Sequence, residues 1–404
     1  MHILFVHQNF PAQFGHVADY LCNKHGYRCT FVSEKPAAKN GNFERLQYQV
    51  KGGATQHNHY CSRTFENAIW HTHAVQEALK ARPDVRPDLV VGHSGFGSTL
   101  FLRDLYPCPV VNYFEYFYRP KDSDMDFRPE FPPEEIDCMR ARARNATILL
   151  DLENCNLGYS PTHWQRDRLP ELFHDKVRVI FDGIDTTVWK PQPNAPRQID
   201  KLTVPKDTRI VTYVSRGLES MRGFDIFMQV AKRLCDCRQD VIFLVVGQDR
   251  ICYGGDRRIT GEMTFKEWVL SKDKYDLSRV HFLGLVPPKT LAHILALSDL
   301  HVYLTAPFVL SWSLMNALAC GCTVLASDTA PVQEMITHGE NGLLANFFDV
   351  EGLTRTAYQV LSDPGKFRPL GKSAAEGIRS KYDLELCLPQ MMELYEAAAK
   401  LGVG

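Results

Sequence analysis

Ile210-Val-Thr-Tyr-Val-Ser-Arg-Gly-Leu-Glu-Ser-Met-Arg-Gly223 joins a short apolar, β-branched run to a loop holding two arginines, and a helix-length amphipathic stretch follows near 224 to 235. A strand that feeds a helix through a tight loop is the building unit of a parallel, doubly wound sheet. Downstream, apolar runs at Val241 to Val246, Val280 to Leu283, Leu300 to Tyr303 and Thr323 to Ala326 alternate with helical patterns near 289 to 298, 312 to 320 and 350 to 362. Upstream, the segment 191–207 has prolines at 191, 193, 196 and 205 and almost no apolar periodicity, so it reads as a linker. Before it the same alternation runs through Ile3 to Val6, Cys29 to Val32, Leu89 to Val91, Val110 to Asn112 and Val177 to Ile180. Ser160-Pro161 reads as a helix start, serine capping and proline first in the helix. The expected fold class is α/β: two Rossmann-like doubly wound domains, 1–190 and 208–383, facing across a cleft lined by loops at the carboxyl ends of the strands.

The bulk properties agree. At 404 residues the chain has the length of two ordinary domains. With 45% hydrophobic and 23% charged residues it can form packed cores. Its formal net charge of −1 gives no general attraction to nucleic acid, so phosphate must be held by local arginines and backbone amides. No nucleic-acid partner is expected. The opening MHILFVHQNF lacks the basic leader and long apolar core of a secretory signal, and no stretch approaches the roughly 20 apolar residues of a membrane span. A cytoplasmic protein is expected. The cysteines are scattered, with Cys235, Cys237, Cys320 and Cys322 in apolar segments as buried reduced thiols would be. Cys235 with Cys237, His57 with His59 and His71 with His73 lack second pairs at zinc-site spacing, so neither a metal nor a cofactor is expected.

Arg216 and Arg222 stand where a loop leaving a strand would meet phosphate. Two guanidinium forks can neutralise the charge that grows on a diphosphate leaving group without a metal. In Pro307-Phe-Val-Leu-Ser-Trp-Ser-Leu-Met-Asn-Ala-Leu-Ala-Cys-Gly321, Ser311 reads as an N-cap and Gly321 as the helix end, which aims free amides at an anion. His93 follows a strand among the small residues Gly92, Ser94, Gly95 and Gly97, a position that suits a ligand contact. The run Tyr113-Phe-Glu-Tyr-Phe-Tyr118 has too many rings for all to point inward from a period-two strand, so it reads as part core and part acceptor surface. Arg140, Arg142 and Arg144 form a basic run on a helical pattern, suited to solvent or to peripheral contact with a membrane.

Further segments occur in a particular order: Asp88-Leu-Val-Val-Gly-His93, Val179-Ile-Phe-Asp-Gly-Ile-Asp185, Ser215-Arg216 through Arg222-Gly223, Phe282-Leu-Gly-Leu-Val286, Ala317-Leu-Ala-Cys-Gly321, Ala326-Ser-Asp-Thr-Ala-Pro-Val-Gln-Glu334 and Gly339-Glu-Asn-Gly342. In order and spacing they resemble the retaining family-4 glycosyltransferases of the GT-B architecture, through nearly the whole chain. The resemblance implies transfer of a sugar, with retention, from a nucleotide-diphosphate sugar, a uridine nucleotide being the first expectation, to a glycan, lipid-linked or small-molecule acceptor. It implies that Arg216 and Arg222 hold the diphosphate, that Val286 flanks the base and that His93 stands near the transferred sugar. Val309, Leu310 and Ser311 would border the donor, while Gln8, Gly15, Tyr113 and Glu115 would lie on the acceptor side. It also implies that the chain end, 384–404, packs as a helix on the first domain. The family usually has two glutamates separated by seven residues at this helix, and here those positions are Phe308 and Asn316. Asn316 can still bond ribose hydroxyls, but without the charge-assisted strength of a carboxylate. The alternative is a catalytically weakened GT-B protein that binds nucleotide or glycan without transfer.

Other matches lead elsewhere. Asp122-Ser-Asp124 has the Asp-x-Asp form of a different, metal-using glycosyltransferase architecture, but its polar surroundings read as solvated loop. Gly365 and Gly371-Lys372-Ser373 miss phosphate-loop spacing, and the first strand–turn–helix, with Pro11, Gln13 and Gly15, lacks the Gly-x-Gly-x-x-Gly of a nicotinamide enzyme.

Overall fold

A computed structural model of the chain describes residues 1–36 and 42–401. These fall into two compact units. The first comprises Met1–Asp126, Pro132–Gly183 and the chain from Glu385, and the second comprises Phe127–Phe131 and Ile184–Leu384.

The first unit is built on a sheet of β1 (His2–Val6), β2 (Arg28–Ser33), β3 (Glu44–Gln47), β4 (Leu89–His93), β5 (Val110–Tyr113), β6 (Leu157–Ser160) and β7 (Val177–Val179). The order is β3-β2-β1-β4-β5-β6-β7, and every neighbouring pair is parallel. Between the strands run α1 (Gly15–His25), α2 (Arg63–Lys80), α3 (Glu135–Asn154) and the short α4 (His163–Asp167). The unbroken apolar reading of β1 and β4 is what a parallel strand covered on both faces requires. Leu4, Val6 and Val90 accordingly share one core with Val75 and Leu79 of α2 and Ile148 and Leu152 of α3. The helix start read at Ser160 lies two residues further on. Ser160 ends β6 and gives its hydroxyl to the Phe114 carbonyl, while Thr162 caps α4 by accepting from the Gln165 amide at 3.1 Å. Leu157-Gly-Tyr-Ser160 carries too few branched residues to announce itself as a strand.

The stretch Ile184–Leu384 belongs to the second unit, so the segment read as a linker lies within it. There Gln198–Ile199 (β8) and Leu202–Thr203 (β9) pair antiparallel. Its main sheet contains β10 (Arg209–Gly217), β11 (Val241–Gln248), β12 (Val280–Gly284), β13 (Leu300–Tyr303), β14 (Val324–Ser327) and β15 (Leu343–Ala345). They lie parallel in the order β12-β11-β10-β13-β14-β15. The helices are α5 (Phe224–Cys237), the short α6 (Arg257–Thr260), α7 (Phe265–Lys272), α8 (Pro288–Ala296), α9 (Trp312–Ala319), the short α10 (Ala330–Gln333), α11 (Val350–Ser362) and α12 (Pro364–Lys381). Gly365, Gly371, Lys372 and Ser373 all lie within α12 rather than in a phosphate loop. Cys235, Cys320 and Cys322 are buried, but Cys237, at the end of α5, is exposed.

The last helix, α13 (Leu384–Leu401), joins the first unit from Glu385 onward. Tyr395 is fully buried with its hydroxyl 3.2 Å from that of Tyr159, and Glu396 accepts from Tyr27 at 2.9 Å. Among the described residues no helix is long and apolar enough to cross a membrane.

Candidate functional site

In the second unit strand order reverses between β10 and β13, the switch point where such sheets bind ligands beyond their carboxyl ends. There the chain leaves β10 through Leu218-Glu-Ser-Met-Arg-Gly223. Gly223 has φ of +61°, and a Cβ on it would lie 2.7 Å from the Leu304 Cβ, so a side chain is excluded on both counts. Several bonds hold the turn. The buried Glu219 carboxylate accepts from the amides of Cys252, Tyr253 and Gly254 at 2.9, 2.9 and 3.2 Å. Burial pushes its pKa up, against the pull of those amides and of Arg222. Ser220 donates its amide to Asp256 Oδ2 at 2.9 Å and its hydroxyl to Oδ1, and the Tyr213 hydroxyl donates to the Arg222 carbonyl at 2.8 Å.

The outcome is a fixed, buried cation. Arg222 is 5% exposed and donates through Nη1 to Thr305 Oγ1 at 2.8 Å and to the Tyr303 hydroxyl at 3.4 Å. Burial opposes its charge, yet Tyr303, Tyr253 and Glu219 outweigh it, and its pKa lies above the ordinary arginine value. Arg216 differs: it is exposed and donates to the Tyr253 hydroxyl at 3.3 Å. The Tyr253 ring centroid lies 5.9 Å from the Arg216 guanidinium carbon and 5.4 Å from that of Arg222.

The start of α9 meets this cluster. Ser311 caps it, accepting from the Ser313 amide at 3.2 Å, while its own amide donates to the Tyr303 hydroxyl at 3.4 Å. One phenol oxygen therefore links Arg222 to a helix N-terminus, two groups that both attract anions. Phe308 and Val309 turn inward, 8% and 7% exposed, and the Phe308 ring lies 5.4 Å from that of Tyr253. Leu310 and Asn316 are half-buried. Val286 is half-buried between β12 and α8, at the end of a strand two places from β10.

The first unit has its own switch point, between β1 and β4. A cavity of about 320 Å³ opens there, lined by Gln8 after β1, by His93, Ser94 and Phe96 at and after β4, by Glu115, and by Asn67, His71 and Arg144 from α2 and α3. His93 is fully buried, and its Nδ1 lies 3.0 Å from the Ser94 carbonyl. A carbonyl only accepts, so Nδ1 carries the proton. Burial, with nearby His7, holds the ring well below the usual histidine pKa, so the neutral ring presents a bare Nε2 lone pair. Among the described residues that nitrogen has no hydrogen-bond partner, and the Glu115 carboxylate 3.7 Å away is another acceptor. With the ring neutral, His93 and Glu115 stand side by side as acceptors in the lining of the cavity, suited to hydroxyl donors. Gln8 gives its amide to the Phe96 carbonyl at 2.6 Å, and the Gln13 side chain donates to Glu115 at 3.3 Å.

Asp151, from the apolar stretch Ile148-Leu-Leu-Asp-Leu152 of α3, escapes the sequence reading. Fully buried, it accepts the Ser94 and Ser98 hydroxyls at 2.8 Å on different oxygens and so pins the loop that carries one wall of the cavity. Its only advance signal is an acid inside a run of apolar residues.

Some expectations need correction. Tyr113 is 1% exposed with its hydroxyl on Asp182 at 3.4 Å, so its ring offers no face to an acceptor. Phe114, Tyr116 and Phe117 are buried as well, but Tyr116 and the half-buried Tyr118 line the cavity beside Glu115, so the run is part core and part cavity wall. Gly15 is required by packing at the start of α1, where a Cβ would come within 2.4 Å of the Pro11 Cβ. The basic run is not a solvated row: Arg140 donates to the Tyr60 hydroxyl at 3.1 Å, Arg144 to that of Tyr118 at 2.6 Å, and only Arg142 is exposed. Asp122 is exposed, but the Asp124 carboxylate accepts from the Tyr116 hydroxyl and is pushed up to about 6 by burial, so it is no solvated loop residue. Among the described residues no three His, Cys, Asp or Glu side chains gather as a metal site would need.

Two doubly wound units, each with a polar cluster at the switch point of its own parallel sheet, define the GT-B class. Residues 25–189 match the model of the "Glycosyl transferase family 4 group" and residues 194–377 that of "Glycosyl transferases group 1". The chain belongs to the family-4 glycosyltransferases of GT-B fold. Among solved structures it is similar to a sucrose-phosphate synthase from Thermosynechococcus elongatus, with TM-score 0.77, 19% identity and 99% of each chain covered. It is also similar to Anabaena HepE in complex with UDP and glucose, with TM-score 0.70, 16% identity, and 98% of this chain and 100% of that one covered. Identities this low establish the fold alone. Among curated proteins it is 30% identical over 254 residues to N-acetyl-alpha-D-glucosaminyl L-malate synthase of Bacillus anthracis, 62% of each protein. It is 25% identical over 236 residues to alpha-maltose-1-phosphate synthase of Mycolicibacterium smegmatis, 56% of this chain and 58% of that protein. The matched region thus spans about three fifths of these relatives' length.

Proposed function

We propose that the protein is a glycosyltransferase that moves a sugar, with retention of configuration, from a nucleotide-diphosphate sugar to a hydroxyl acceptor, without a metal ion. The carrying observation is Arg222, a buried cation linked through Tyr303 to the capped start of α9. A diphosphate there would meet the Arg222 guanidinium, the positive end of the α9 dipole and Arg216 in a site that holds its geometry before charge develops. The same parts answer the missing glutamates: with Phe308 turned inward and Asn316 neutral, the anion would be held by the arginines and the α9 dipole. Uridine nucleotides are the first donors to test, since one structural neighbour is described in complex with UDP and glucose. The second unit would hold the donor, with Val286, Val309, Leu310 and Ser311 bordering it. The first would hold the acceptor in the cavity of Gln8, His93 and Glu115, where an acceptor hydroxyl would donate to the His93 lone pair or to the Glu115 carboxylate.

The test is release of UDP from UDP-glucose and related donors across a panel of polyol and glycan acceptors, with the anomeric configuration of the product read by NMR. Product with the donor's configuration is expected. An inverted product would rule out retention, and no release from any nucleotide sugar would rule out transfer.

A further inference from the structure

We propose that Arg128 is a positioning residue for the phosphate-binding turn, keeping Arg222 in place by gripping the backbone two residues before it. The inference rests on Arg222 acting as a diphosphate ligand. Arg128 comes from Phe127–Phe131, a five-residue segment that belongs to the second unit although its flanks on both sides belong to the first. It lies 92 residues from Ser220 in sequence, and no motif in the loop itself points to it.

Every nitrogen of its guanidinium has a partner. Nη1 donates to the Ser220 carbonyl at 2.8 Å and to Asp225 Oδ1 at 2.9 Å, Nη2 to Asp225 Oδ2 at 2.6 Å, and Nε to Glu130 at 2.8 Å. The group is 5% exposed, with the Phe131 and Phe347 rings 4.6 and 5.3 Å away. Asp225 lies in the first turn of α5, so the paired fork also anchors the helix that follows the turn. Ser220 is thus held on both sides, its carbonyl by Arg128 and its amide and hydroxyl by Asp256. Two buried charged groups fixing the peptides on either side of one residue leave the short turn Ser220–Arg222 little freedom. Such restraint matters at an anion site, because a cation that must first be ordered gives up affinity to that ordering.

A purely structural role would end at Asp225. The bond to the Ser220 carbonyl makes the difference, and Arg128→Lys separates the two roles. Lysine keeps a positive charge beside Asp225, so the unit stays folded, but it lacks the planar fork that reaches both Asp225 oxygens and the Ser220 carbonyl at once.

The experiment titrates the full chain with UDP and with uridine, which has the base and ribose but no phosphate. Wild type is compared with Arg128→Lys and Arg128→Ala, and thermal unfolding is the control for folding. In the folded variants UDP affinity should fall by about tenfold or more, the scale of a lost charged hydrogen bond, while uridine affinity stays unchanged. If Arg128→Ala does not fold, Arg128→Lys carries the test. UDP affinity unchanged in the folded lysine variant overturns the proposal, and so does an equal loss for UDP and uridine. A wild type that binds UDP no better than uridine contradicts the diphosphate role of Arg222 itself and takes this inference with it.

Discussion

Asp151 accepts the Ser94 hydroxyl at 2.8 Å inside a fully buried site, and this sets a pH dependence for the first unit. Burial pushes the carboxyl from the ordinary 3.8 up to about 6, although Ser98 and Ser94 pull the other way. The folded protein therefore binds this proton more tightly than the unfolded chain does. The stability this confers is fully present below pH 3.8 and is lost as pH rises towards 6; at pH 7 the ionised group costs on the order of 3 kcal/mol. Asp151→Asn removes the titration. Its unfolding free energy relative to wild type should rise between pH 4 and 6 and level off above, as read by denaturant unfolding across that range. A difference independent of pH would refute the assignment.

The two arginines should prove unequal. Arg222 is buried with its Nη1 on Thr305 and Tyr303, whereas Arg216 is exposed and touches Tyr253. Arg222→Ala should weaken UDP binding by roughly 100-fold, in line with the 2–5 kcal/mol typical of truncating a buried charged contact. Arg216→Ala should cost about tenfold or less, since a solvated charge is screened. Equal losses in isothermal titration would show that burial does not order their roles.

Asn316→Glu should tighten UDP binding by about tenfold, because a carboxylate makes a charge-assisted bond to ribose hydroxyls where an amide makes a neutral one. Equal or weaker binding would mean that Asn316 does not stand at the family's glutamate position.

Most of the sheet framework is legible in sequence, because buried parallel strands read as apolar runs. Leu89 to Val91 and Val241 to Val246 show it, each seen in the structure as the core of a longer strand. Short strands at or near sheet edges escape: Glu44-Arg-Leu-Gln47 is mostly polar, and Leu343–Ala345 has three residues. Ser311 is legible as a cap because capping is local. Arg128 and Asp151 are not, since their partners lie 92 and 57 residues away and no local pattern encodes such pairs. Aromatic density misleads for the same reason: Tyr113 has the chemistry of a sugar platform, but only tertiary packing shows its ring to be enclosed.

Activity should survive excess chelator. The proposed anion site would use Arg222, Arg216 and the N-terminal dipole of α9, none of which needs a metal to be charged or oriented. UDP release from the donor should be the same within error in the presence and absence of EDTA. Loss restored by magnesium or manganese would contradict a metal-independent site and return Asp122 and Asp124 to consideration.

The most direct test of the central claim, a nucleotide-diphosphate donor site centred on Arg222, is calorimetric titration of the full chain with UDP, GDP and ADP, repeated on the Arg216→Ala/Arg222→Ala double variant. One diphosphate, UDP first, should bind the wild type, and that binding should vanish in a double variant that still unfolds cooperatively. If none of the three binds wild type, or if the double variant binds as tightly, the account of this site is contradicted.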